Sequence, residues 1–404
     1  MPSVEPLPSV TLGDRTLFPA LDSRAYLNHA AISPPSSRVQ AAVATLVNDY
    51  AAKGLGALHR WLDQRENLRN QLATLIGSSP EEIGYVANTT AGVRAAALCI
   101  PWQAGDRVVL LEGEFPANIT PWQQAAAQHE LQLAWLDAND FHGASGTGLE
   151  KLEVELRAGA RLVAVSAVQF QTGLHMPLVE IGELCRRYGA ELFVDAIQAC
   201  GAVPIDVEAA QIDYLSCGSH KWLMGLEGVA FLYVRQQAAE KLRPVVAGWL
   251  SHEDGLRFLF EGKGHLRYDR PVRRRADLVE GGAAPGALLA ALEAGLEPIA
   301  ALGVANVFEH LQAYLEPLER GLVDRGFTSL RSPVASQRSG ILSVDPPSDI
   351  DLLRLHEALG ERNIHVSTPD GRLRFAPHWP NAHAEVPVVL DAVDEVMADL
   401  RRPK

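Results

Sequence analysis

Residues 36–76 place Val39, Val43, Leu46, Val47 and Tyr50 three and four positions apart, the spacing of one helix face. Ser36 or Ser37 suits the N-cap, and Gly77 suits the stop. The pattern then changes to short apolar runs at 83–87, 107–111, 161–165, 191–194 and 229–234. These runs barely alternate, as expected of strands buried on both faces of a largely parallel sheet. Helical patterns such as 93–100 and 177–188 lie between them, and the alternation predicts a layered α/β domain. After Gly281-Gly282 the character changes again. A long helix at 287–300 leads into further helices and into strands at 339–344 and 371–375, which read as a smaller α+β domain. The Pro- and Ser-rich residues 1–35 read as an extended arm, and 143–148 as a surface loop.

Composition narrows this picture. A chain of 404 residues with 47% hydrophobic and 21% charged positions builds a large core and is not disordered. At roughly 150 residues per domain, two or three domains are expected. The net charge is −13, and the one basic run is Arg273-Arg274-Arg275, which argues against a nucleic acid or an anionic membrane as partner. The four cysteines, Cys99, Cys185, Cys200 and Cys217, have neither disulfide-scaffold nor zinc-type spacing. The start, MPSVEPLPSVTLGDR, has no apolar leader core, and the apolar stretch 283–308 is broken by Pro285, Glu293, Glu297 and Pro298. A soluble, reduced, cytoplasmic protein is the expectation. His378 and His383 stand five apart, so no metal pair is expected, and both read as surface or pocket residues. Neither GxGxxG nor a P-loop is present; Gly54-Leu-Gly56 lacks the third glycine.

Three segments carry chemistry. Ser216-Cys-Gly-Ser-His-Lys221-Trp-Leu-Met-Gly225 puts a lysine in a small, polar, glycine-flanked loop. Lysine amines form Schiff bases when desolvation or a nearby cation lowers their pKa; a solvated turn lysine is the plainer reading of this segment alone. Asp195 follows Leu192-Phe-Val194, at the carboxyl end of a strand, where ligands of open α/β sheets bind. A carboxylate there can keep a pyridine nitrogen protonated, or simply cap a helix. Asn88-Thr-Thr-Ala-Gly92 sits between a strand pattern and a helix pattern, where hydroxyls and N–H groups hold phosphate.

Together, in this order, these segments resemble the fold-type I pyridoxal-phosphate enzymes of the class V aminotransferase family, from about Tyr26 to Asn381. That family includes cysteine desulfurases, kynureninases, epimerase-like proteins and C–S lyases. The resemblance implies a large, mostly parallel mixed sheet domain over 36–285. The arm 1–35 and residues 286–404 would form the smaller domain. It also implies a homodimer, pyridoxal 5'-phosphate as cofactor and an amino acid as substrate. Lys221 matches the Schiff-base lysine, Asp195 the pyridinium partner and Gln198 the donor to the ring hydroxyl. Thr89, Thr90, Ser219 and His220 match phosphate contacts, and Phe115 the aromatic stacked on the ring. Arg374 matches the substrate carboxylate clamp, with Arg372 its competitor, and Asn28 and His29 lie in the substrate-side arm.

Two departures bear on the reaction. Desulfurases accept sulfur on a loop cysteine and stack a histidine on the ring. Here the matching loop, His365-Val-Ser-Thr-Pro-Asp-Gly371, offers Ser367, and Phe115 replaces the histidine. Val168-Gln-Phe-Gln-Thr-Gly173 and Gly248-Trp249 look kynureninase- or epimerase-like, whereas Arg374-Phe-Ala-Pro-His378 is closer to the epimerase-like branch. Gly282 or Ala283 stands where the family often has a threonine that touches the neighbouring subunit's phosphate. Transamination is the expected outcome, with C–S lyase or other β-elimination chemistry, C–C hydrolysis and epimerisation as the alternatives.

Overall fold

The computed structural model describes residues 10–402. The first nine residues of the expected arm, and with them most of the start MPSVEPLPSVTLGDR, lie outside that range. The described strands are β1 (Ala25–Tyr26), β2 (Ile83–Val86), β3 (Arg107–Glu112), β4 (Gln132–Asp137), β5 (Ala160–Ser166), β6 (Glu191–Asp195), β7 (Tyr214–Gly218), β8 (Ala230–Val234), β9 (Thr328–Ser329), β10 (Leu342–Asp345), β11 (Ile364–His365) and β12 (Leu373–Phe375). Seven form the main sheet, in the order β2-β8-β7-β6-β5-β3-β4. β8 alone runs against its neighbours. The link from β7 to β8, residues 219–229, is too short for the crossover that a parallel neighbour needs, so the chain folds straight back. That return loop carries Lys221.

Alternate residues of each central strand feed cores on opposite faces. Val109, Val163, Val194 and Leu215 face one cluster, and Val108, Leu162, Phe193 and Tyr214 the other. Two strands were not legible as apolar runs. β4 lies at the sheet edge and leaves most of its side chains partly exposed. β7 contains Ser216, Cys217 and Gly218, which read as loop residues but are wholly buried strand. Their smallness has a use. The helix Thr89–Cys99 crosses β7 so closely that a Cβ on Gly92 would lie 2.8 Å from the Ser216 Cβ. This approach aims the N-terminus of that helix at the sheet's carboxyl edge.

The helix expected over 36–76 is two helices, Ser37–Lys53 and Leu58–Ile76, because Gly54 and Gly56 admit a tight turn between them. Ser36 caps the first through Val39 N–H, and Gly77 ends the second in the left-handed region. A three-stranded antiparallel sheet, β12-β10-β9, packs with the helices Val304–Asp324, Leu352–Glu361 and Glu385–Arg401 around a second core. Ala25 and Leu27 of the arm belong to that core, whereas Leu17, Phe18 and Ala30 join the large one. Leu289, Leu292, Leu296 and Ile299, on the helix that starts at Gly286, also pack on the main sheet core. Core contacts therefore divide beyond the boundary expected at residue 286. Among the described residues no single helix is long and apolar enough to cross a membrane.

Candidate active site

Asp195 ends β6 and is buried. Its side chain receives a hydrogen bond from Ile197 N–H at 3.0 Å, the only one the carboxylate receives among the described residues. Burial pushes its carboxyl up to about 6, opposed by that bond and by the charge of Lys221. Lys221 is half-buried in the return loop. Burial pulls its amine down to about 8, with Asp195 pulling the other way and Arg374 adding to the depression. Its Nζ lies 5.7 Å from the centroid of the Phe115 ring.

The loop is held from outside. The carbonyl of His220 accepts from Ser33 N–H at 2.7 Å. The Lys221 carbonyl accepts from the Ser33 hydroxyl at 2.6 Å, and the Trp222 carbonyl from His378 Nε2 at 2.8 Å. Three successive carbonyls are thus fixed by the arm and by the segment after β12.

Beside the lysine, Asn88 caps the helix Thr89–Cys99 by accepting from Ala91 N–H at 2.8 Å. The Thr89 hydroxyl is buried with no partner, and a Cβ at Gly218 would lie 3.0 Å from it. Thr90 is exposed at the same helix end. On the far side, Arg374 of β12 is 4% exposed. Its Nε donates to Ser367 Oγ at 3.0 Å and its Nη1 to the Phe170 carbonyl at 2.7 Å. No carboxylate pairs with it among the described residues, and burial lowers its pKa to about 10. A buried guanidinium without an anion is costly, so this one is built to receive an anion. Arg372 is only half-buried and donates to Gln171, which leaves Arg374 as the inward cation.

A family model described as "Aminotransferase class-V" matches residues 25–377. The chain belongs to the class V aminotransferase family. It is a pyridoxal-phosphate enzyme of fold type I. Among its relatives, an uncharacterised aminotransferase YcbU of Bacillus subtilis is 27% identical over 403 residues, covering 95% of this chain and 96% of that one. A cysteine desulfurase of Escherichia coli K12 is 30% identical over 303 residues, covering 71% and 70%. The fold is that of a cystine C–S lyase, C-DES, solved with cysteine persulfide, at a TM-score of 0.83 and 23% identity over 92% of this chain and 97% of that one. A cysteine desulfurase of Thermococcus onnurineus superposes with a TM-score of 0.82 at 22% identity, covering 93% and 95%.

The residues present suit the family's cofactor. The orphaned Thr89 hydroxyl and the helix N-terminus offer donors to a phosphate. His220 flanks the same space, with its pKa lowered by burial and by Lys221. Phe115 is 47% exposed, its face free for a ring, and meets Phe170 edge-on at 5.3 Å. The Asn28 side-chain oxygen is buried without a partner close to Arg374, since Asn28 pairs with Ala376 just past β12.

Three expectations change, and that for Gln198 is narrowed. Ser219 is wholly buried and donates its proton to the Leu226 carbonyl, closing its own turn, so it has no donor left for a phosphate. Gln198 donates to the Ala30 carbonyl at 3.0 Å and accepts from Trp222 Nε1 at 2.9 Å, leaving one N–H for a ring hydroxyl. His29, expected on the substrate side, is buried and engaged within the arm. Its Nδ1 lies 2.7 Å from Ser33 Oγ, which itself donates to Lys221, so the ring supports the lysine loop. His378, read as a surface or pocket residue, has no exposure at all. Ser33 and His378 gave no sequence signal for this role, because each acts through a backbone carbonyl far away in the chain.

Burial lowers the pKa of His378 to about 4, and burial together with His378 lowers that of His29 well below the usual range. The folded state therefore binds fewer protons than the unfolded chain. Stability is full above the unfolded value near 6.5 and drains away as pH falls toward about 4, by on the order of 3 kcal/mol for His378. Urea unfolding at pH 7 and pH 4.5 checks this. His378→Gln is expected to lose distinctly less stability across that interval than the wild type; equal losses would put the titration elsewhere.

Proposed function

We propose that this enzyme transaminates an amino acid, with Lys221 carrying the cofactor and Arg374 binding the substrate carboxylate. The supporting observation is that Lys221 and Asp195, at the main sheet's carboxyl edge, meet an anionless Arg374 from the small sheet. Bound there, pyridoxal phosphate supplies an electron sink for charge developing at the substrate α-carbon. Asp195 holds the ring nitrogen's proton, and the Thr89 helix end and His220 hold the phosphate. Phe115 covers one ring face, and Gln198 offers its remaining N–H to the ring hydroxyl. Lys221 would take the α-proton, and burial keeps its amine partly neutral near pH 8 for that task.

The loop that would carry a sulfur-accepting thiol carries Ser367, bonded to Arg374, and all four cysteines are buried. That supports transamination over desulfuration onto the enzyme's own cysteine. A C–S lyase releasing sulfur without a thiol uses the same three groups, and the fold shared with C-DES keeps it as the second reading. We assign the enzyme to the cytoplasm, consistent with its unpaired cysteines, and to a homodimer. The exposed Trp249, Phe258, Leu259, Phe260, Leu266 and Tyr268 favour a second copy as cover for the 249–268 segment.

The test is an amino-acid panel on protein reconstituted with the cofactor. Keto acid formed in step with amination of an added acceptor supports the proposal. Sulfide or pyruvate plus ammonia selects the lyase, and an inverted amino acid selects epimerisation. Borohydride reduction followed by peptide mapping is expected to fix the cofactor on Lys221; a label on any other lysine removes the assignment.

A further inference from the structure

One buried carboxyl next to the site has no part in the chemistry above. Glu114 follows β3 and precedes Phe115. Its Oε1 accepts from Ser166 N–H at 2.6 Å and from Gln169 Nε2 at 3.0 Å. Its Oε2 accepts from the Ser166 hydroxyl. No Lys, Arg or His pairs with it among the described residues. Ser166 ends β5, and Gln169 lies on the loop that leaves it. Gln169 precedes Phe170, whose ring meets Phe115 edge-on and whose carbonyl takes the Arg374 Nη1 bond. Ser166 pairs in register with Asp195, and Ala167 N–H donates to the Asp195 carbonyl at 2.8 Å.

Phe115 and Arg374 approach the site from different elements, the β3 loop and the small sheet. A chain of contacts links them. It runs from Glu114 through Gln169 to Phe170, which touches both. We infer that Glu114 is a positioning residue that sets the ring-stacking face of Phe115 and the carboxylate-binding fork of Arg374 together, by bolting the loops after β3 and β5 to each other. The inference rests on the proposed roles of those two residues. Burial raises the Glu114 carboxyl to about 7, against the bonds from Ser166, so the group is partly protonated near neutrality. A neutral group in its place can keep the wiring. In Glu114→Gln, the amide oxygen keeps the two bonds now made to Oε1, and the amide nitrogen can donate to the Ser166 hydroxyl.

The test is a double-mutant cycle on holoenzyme and apoenzyme. Glu114→Ala removes all three bonds of the stitch, and Gln169→Leu removes the one that leads to Phe170. Each is expected to raise KM for the amino acid about tenfold, the loss of a hydrogen bond to a charged group. Each should also weaken pyridoxal-phosphate binding to the apoenzyme, read from quenching of protein fluorescence. The double variant should lose no more than Glu114→Ala alone. Glu114→Gln is expected to recover most of the loss in both readouts.

Additive losses, or an unchanged KM and cofactor Kd in folded Glu114→Ala, overturn the inference. If Glu114→Ala does not fold, Gln169→Leu supplies the same two readouts, and an unchanged KM and cofactor Kd there overturn the inference equally. A residue that merely supports the fold would lower Tm and the active fraction without moving KM. Wild-type protein that binds no pyridoxal phosphate would instead overturn the functional reading beneath, which keeps the two failures apart.

Discussion

Lys221→Ala is expected to abolish turnover while leaving the fold intact. The side chain would serve twice, as the amine that carries the cofactor and as the base for the α-proton. Positioned proton transfer alone contributes about 10²- to 10⁴-fold, and loss of covalent attachment adds to it, so kcat should fall by at least about 10³-fold. The fold should survive because the bonds that hold the loop end on backbone carbonyls. Those of His220, Lys221 and Trp222 are gripped by Ser33 and His378, whatever side chain stands at 221. Tm and the circular dichroism spectrum check this point. The wild type makes a matching forecast. Its amine is held near 8 by burial, so its neutral fraction rises as pH increases through that value. Capture of added pyridoxal phosphate by apoenzyme, followed by stopped-flow absorbance, should accelerate from pH 6 and level off above about pH 8. A rate still climbing at pH 10 would mean an ordinary solvated lysine. Retained turnover in Lys221→Ala would remove the residue from the reaction.

Much of the site was legible because its signals are local. A carboxylate at the end of an apolar run, a lysine in a glycine-flanked loop and a Thr-Thr pair before a helix are each visible within ten residues of sequence. Sheet topology turns those local signals into one site, since β6, β7 and the start of the Thr89 helix meet at the same edge. What escaped is non-local. β7 reads as a loop because close helix packing selects Ser, Cys and Gly where a strand normally shows Val or Ile. The reversed direction of β8 follows from the short link before it rather than from its own apolar run. His29 and His378 were misplaced for a related reason. A histidine in the sequence shows its chemistry but not its exposure, and each spends one nitrogen on a structural link to the lysine loop. Ser367 was visible only as a missing thiol; its bond to Arg374 depends on the bridge between the loop and β12.

Arg374→Met is expected to move activity and stability in opposite directions. In the unliganded protein the guanidinium is buried, its Nε and Nη1 are engaged by neutral acceptors, and no carboxylate compensates its charge among the described residues. Replacing such a cation with an apolar side chain of similar size relieves desolvation, and comparable replacements are neutral or stabilising by about 1–4 kcal/mol. The urea midpoint of the apoprotein should therefore hold or rise. Catalysis should suffer. The Nη2 amine and the remaining Nη1 hydrogen form the edge left for a carboxylate, and losing a charge-assisted pair in a dry site costs about 3–5 kcal/mol. kcat/KM should fall by about 10²- to 10³-fold, with most of the loss in KM, because the carboxylate is held alike in ground and transition states. Arg374→Lys keeps the charge but not the planar fork, and should fall between the two. A less stable Arg374→Met with kcat/KM intact would show that Arg374 holds the Phe170 and Ser367 loops together and does not bind substrate. The opposed shifts, found together, are what a preformed anion site predicts.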